Sequence, residues 1–100
     1  MEKKFYPTLS SGQEATLKNI ANDLEVKTPV EFADFIAFKQ VLKDAGEAAI
    51  ANENIPRMRA VTRYITTFNG IFTAVEEQRG KYEKEKDETA VALRKLLNEL

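Results

Sequence analysis

From Met58 onward, apolar and long side chains recur at alternating gaps of three and four residues: Val61, Ile65, Phe68, Phe72, Val75, Arg79, Tyr82, Lys86, Thr89, Leu93, Leu96 and Leu100. A seven-residue period of this kind marks one face of a helix. It predicts a single helix from Ile55 to about Glu99, ~65 Å long at 1.5 Å per residue. The breadth of the face changes along it. Over 56–75, Tyr64 and Ile71 widen the stripe into one suited to packing inside a bundle. Over 76–88 the surround is almost wholly charged, and pairs such as Glu77 with Lys81 and Lys84 with Glu88 support the helix by ~0.2–0.5 kcal/mol each. Over 89–100 the stripe broadens again into a leucine-rich end.

Gly80 divides two architectures. In the first, the helix is continuous and the fold is all-α, a small three-helix arrangement with a long C-terminal helix. In the alternative, a break near Gly80 folds the last segment back as the fourth member of a four-helix bundle. A lone glycine costs about 1 kcal/mol in a helix interior, and the period keeps its phase across it, so the continuous helix is the expectation.

Upstream, Ser11 followed by Glu14 has capping-box spacing and predicts a first helix to about Leu24, with Leu17, Ile20, Ala21 and Leu24 on one stripe. Thr28-Pro29-Val30-Glu31 places a cap, a first-turn proline and a glutamate in the order of a helix start. A second helix is expected from there through Phe32, Phe35, Ile36, Phe38, Val41 and Leu42 to about Ala51, with a soft spot at Gly46. Asn54 caps the third helix, with Pro56 in its first turn. Gly70, beside Phe68 and Ile71, reads as a point of close helix approach. The chain therefore divides into an N-terminal arm (1–10) whose Phe5 and Tyr6 pin onto the helices, a helical core (11–75), and an extension of the long helix (76–100).

Composition narrows the functional classes. One hundred residues carry 15 Lys plus Arg against 16 Asp plus Glu, with no Cys and no His. This excludes a disulfide framework, Cys/His zinc sites and imidazole catalysis. The apolar runs fall well short of ~20 residues, and no apolar segment follows the basic start, so neither a signal peptide nor a membrane span is expected and a cytoplasmic setting is the default. Glu83 and Asp87 are four apart but lie in a solvated run beside lysines. The glycines are isolated and form no phosphate loop. No nucleophile has an activator, so no enzyme, metal, cofactor or small-molecule substrate is expected.

Two sets of residues remain as candidates for contact with a partner. Leu17-Lys18-Asn19-Ile20-Ala21-Asn22-Asp23-Leu24-Glu25-Val26 resembles the first half of a helix-turn-helix DNA-binding unit, a resemblance covering about a quarter of the chain. Glu25 stands where such units usually have Gly, and the helix that would read bases opens with Glu31 and Asp34 and has no basic residue before Lys39, the wrong sign for phosphate. Arg57, Arg59 and Arg63 form a better basic patch for nucleic acid or another anion, with intramolecular pairing to Glu31, Asp34 or Glu47 as the competing expectation.

The other set is the leucine-rich end. An apolar face on a projecting helix predicts association, with a copy of itself or another protein, through Tyr82, Thr89, Leu93, Leu96, Leu97 and Leu100. Arg79 and Lys86 on the period argue against a long tight coiled coil; Glu76, Glu83 and Glu85 on flanking positions can answer them across an antiparallel or loosely wound neighbour. The leading functional reading is a non-enzymatic assembly protein. The alternative is a DNA-associated accessory protein of a phage or mobile element.

Overall fold

The computed structural model describes residues 5–100 and contains three helices, α1 (Ser11–Leu24), α2 (Phe32–Ala51) and α3 (Ile55–Glu99). Residues 1–4 of the expected arm lie outside the described residues. α3 runs unbroken through Gly80, so the four-helix alternative does not form.

The helix starts differ from the sequence expectation in two places. The capping box of α1 is Ser10 with Gln13, one residue earlier than Ser11 with Glu14: the Ser10 hydroxyl accepts from the Gln13 N–H at 3.2 Å and the Gln13 side chain accepts from the Ser10 N–H at 3.0 Å. Both pairs have the same spacing, so local chemistry alone does not choose between them. α2 begins at Phe32 and not after Thr28; its N-cap is Glu31 in an extended conformation, with no side-chain capping bond. Pro29 is buried and Val26 half-buried in the extended connection before it, so burial of that connection overrides the local helix-start signal. α1 ends on Glu25, whose φ of 57° is left-handed, and the Val26 N–H returns to the Ala21 carbonyl at 2.9 Å. Asn54 caps α3 as expected, accepting from the Arg57 N–H at 3.1 Å.

The core is built from Leu17, Ile20 and Ala21 of α1, Phe35, Phe38 and Leu42 of α2, and Phe68, Ile71 and Val75 of α3. Phe68 is its centre: its ring lies 6.0 Å from Phe35, 5.3 Å from Phe38 and 5.7 Å from Phe72. Such ring pairs favour offset or tilted geometries and add to the stabilisation from burial. Ile36, expected on the core arc of α2, instead faces solvent.

Glycines behave differently from one another. At Gly70 a Cβ would meet nothing within 4 Å, so it is not the close approach the sequence suggested; at Gly46 a Cβ would stand 3.5 Å from Val61 Cγ1, an ordinary contact. Gly80 is exposed and also open. Gly80→Ala is therefore expected to stabilise α3 by about 1 kcal/mol, seen as slower amide exchange over residues 76–84; slower exchange would not follow if Gly80 served as a hinge.

Burial stops well before the helix does. Val75 is the last buried residue of α3, Gln78, Arg79 and Tyr82 are half-buried, and every residue from Glu83 to Leu100 is exposed. The molecule measures 68 × 26 × 22 Å with a radius of gyration of 18.3 Å, against ~13 Å for a compact chain of this length. It is a three-helix body with a bare helical rod of ~27 Å projecting from it.

Candidate functional site

At the root of the rod, the N-terminal arm is tied to α3. The Gln78 side-chain amide makes two bonds to the Thr8 backbone, accepting its N–H at 2.7 Å and donating to its carbonyl at 2.8 Å. One turn further on, Phe5 lies against Tyr82 with ring centroids 5.4 Å apart. Of the two aromatics expected to pin the arm, Phe5 does so while Tyr6 is 59% exposed; the glutamine clamp carries no sequence signal, because a glutamine in a run of charged residues reads as surface even three positions after the buried Val75. Gln78→Ala is expected to release the arm, with faster exchange of the Thr8 amide and loss of the ring contact between Phe5 and Tyr82 in NMR, and with a change in global stability no larger than about 1–2 kcal/mol for exposed bonds.

Arg79 occupies a core-phase position without disrupting the fold. Its guanidinium lies 4.5 Å from the Phe32 ring centroid and bonds Glu83 at 2.9 Å, an i,i+4 pair. Its Nε is buried with no hydrogen-bond partner, so the ring face and Glu83 supply the compensation. The charge that seemed to oppose association is thus absorbed within the chain.

Beyond it, the predicted interface residues separate into two groups. Tyr82 is half-buried beneath Phe5. Thr89, Leu93, Leu96, Leu97 and Leu100 lie on one exposed face, with Leu93, Leu96 and Leu97 at 55%, 62% and 56% exposure. A shallow groove along this face is lined by Tyr82, Glu85, Lys86, Thr89, Ala90 and Leu93. It shares Tyr82 and Glu85 with a second groove under the arm, bounded also by Phe5, Tyr6 and Gln78. The face is therefore continuous from the arm to the leucines. Val91, also exposed, lies on the opposite side of the helix.

The arginines are not brought together as one patch. Arg57 pairs with Asp23 at 2.9 Å, at the end of α1, and not with Glu31, Asp34 or Glu47. Asp23 also accepts from the Tyr64 hydroxyl, which together with partial burial raises the tyrosine pKa above its ordinary 10.0. The favoured state is the protonated one, so this contribution is fully present below pH 10 and is lost as pH rises through the folded-state value. Arg59 and Arg63 are exposed, make no ion pair among the described residues, and border an open groove with Ile55, Pro56, Met58 and Thr62. The helix that would read bases carries Phe32 and Phe35 in its first turn, both turned to the body, with Phe35 fully buried.

Among the described residues, no group of three or more acidic, His or Cys side chains is gathered to hold a metal ion, and no helix is long and apolar enough to cross a membrane. Comparison of the chain with protein-family models, curated proteins and solved structures finds no match to any of them.

Proposed function

We propose that the chain is a non-enzymatic assembly protein that works by association through the projecting end of α3. The observation that carries this reading is the exposed leucine face on an otherwise unsupported rod. Isolated helices of this length are marginal in water even for good helix formers, and contiguous apolar surface on a helix gains free energy at ~25 cal/mol per Å² when covered. A helical neighbour would supply both the cover and the support.

The test is sedimentation of the full chain across micromolar to near-millimolar concentration, together with amide exchange over 89–99. Mass above that of the monomer, accompanied by slowed exchange in this segment, is the expected result. An associated protein whose 89–99 amides exchange as fast as those of the free helix would place the contact elsewhere and refute the reading.

A second reading, contact with a nucleic-acid backbone, is favoured by the exposed Arg59 and Arg63. It receives less support, since Arg57 is engaged by Asp23. It predicts salt-sensitive DNA binding that falls on replacing Arg59 and Arg63 by alanine; absence of binding at ~50 mM salt removes it.

A further inference from the structure

Building on the reading of α3 as an association surface, we propose that the partner is a second copy of this chain, lying antiparallel along residues 82–100 so that Tyr82 of each copy meets the last turn of the other. The face offers only a few phases in which two copies can meet, and their charges distinguish them. In a parallel, in-register pair, Lys86 would oppose its own counterpart at the centre of the seam, two like charges with no acid between them. In the antiparallel pair, facing positions are Tyr82 with the partner's Leu100, Lys86 with the partner's Leu96, and Thr89 with the partner's Leu93. Each lysine stem then lies along a leucine while its ammonium reaches the flank.

The flanks agree with this register. Residues 83–88 hold Glu83, Glu85, Asp87 and Glu88 against Lys84 and Lys86, whereas 94 and 95 are Arg and Lys. Running the second copy in the opposite direction sets Arg94 beside the partner's Asp87 and Glu83, and Lys95 beside the partner's Glu88 and Glu85. Glu99 falls between the partner's Lys81 and Glu85, so this one flank position gains nothing from the register. At the midpoint, Ala90 and Ala92 on either side of the seam meet their own counterparts, and these small side chains let the helices approach closely.

The body sets where the overlap stops. The arm lies on Tyr82 through Phe5 and leaves it half-exposed, so the overlap can reach Tyr82 and no further, and the length from there to the end, ~27 Å, is the length of the proposed overlap. The two bodies then sit at opposite ends without collision. An overlap this short gives a small interface and a concentration-dependent dimer, not a permanent one.

The chain has no cysteine, so a single Glu77→Cys in the full-length protein gives one spin label per copy, on the solvent side of the rod. In the antiparallel pair residue 77 and its counterpart are offset by 28 helical positions, so the expected distance is ~42 Å or more; in a parallel pair it is about 20 Å, set by two helix radii and the label arms. A short distance in an associated sample overturns the antiparallel pairing and leaves the association reading standing. A sample that sediments as a monomer up to millimolar concentration overturns the pairing of copies in either direction, and the association reading then stands only with a different protein on the leucine face.

A charge swap tests the register separately. R94E/K95E and D87K/E88K should each weaken self-association about ten-fold or more at low salt, and an equimolar mixture should recover most of it as a heterodimer, because positions 87 and 88 of each copy then face opposite charges at 94 and 95 of the other while only Glu83 and Glu85 stay unmatched. Equal weakness of the mixture and the separate variants would rule the register out.

Discussion

Replacing Leu93, Leu96 and Leu97 together with alanine is expected to abolish association while leaving the three-helix body folded. The three side chains are more than half exposed and touch none of the core, so the body loses nothing when they are shortened. Alanine is the strongest helix former, and the rod's local helical preference does not fall. What is lost is cover between copies. Each Leu→Ala change removes three carbons at ~0.8 kcal/mol per buried CH₂. Even at half that burial, three positions in each of two copies weaken the dimer by on the order of 10³-fold or more, since about 1.4 kcal/mol is a factor of ten. Sedimentation should therefore report a monomer at concentrations where the unmodified chain is associated, with an unchanged thermal transition for the body. A variant with undiminished mass would show that the leucines are not the contact.

The second large effect is expected at Phe68. Phe68→Ala should destabilise the body by about 3–5 kcal/mol, the range for removing a buried phenylalanine. Phe68 is fully buried and its ring is shared with Phe35, Phe38 and Phe72. Its loss opens a cavity where α2 lies across α3, and the surrounding rings can collapse only partly. Small domains hold only ~5–15 kcal/mol in total, so the urea midpoint should fall by a large fraction of its value. A change below about 1 kcal/mol would mean that the ring cluster is not the centre of the core. Together the two variants separate the molecule's parts: one removes association and spares the fold, the other weakens the fold and leaves the distal leucines in place.

The parts of this architecture that depend on local, periodic information were legible in the sequence. The seven-residue spacing from Met58 to Leu100 specifies one face of one helix, and the absence of proline after Pro56 leaves nothing strong enough to break it. Asn54 with Pro56 fixes where that helix begins, because a cap and a first-turn proline both act within a single turn. The leucine-rich end was likewise visible as a pattern. Its exposure was expected only on the condition that the helix ran on past Gly80, because the same stripe on a folded-back fourth helix would face the body.

Distant partners could not be read in this way. Asp23 takes Arg57 in place of the nearer acids of α2 because the end of α1 is folded against the start of α3, 34 positions away. Thr8 and Gln78, 70 positions apart, meet only because the arm crosses the body. The start of α2 moved from Thr28 to Phe32 for a related reason: Pro29 and Val26 gain more from burial than a cap at Thr28 would supply.

By itself, the sequence determined that the chain is helical, that its last helix is long and continuous, and that Cys- and His-based chemistry is closed to it, since these follow from periodicity, turn chemistry and residue inventory. The tertiary structure decided how far along that helix the body gives support. That limit depends on where α2 and the arm come to rest on α3, which is settled by burial and hydrogen bonding between residues far apart in the chain. It lies at Tyr82, and it turns the part of the period beyond that residue into a free surface.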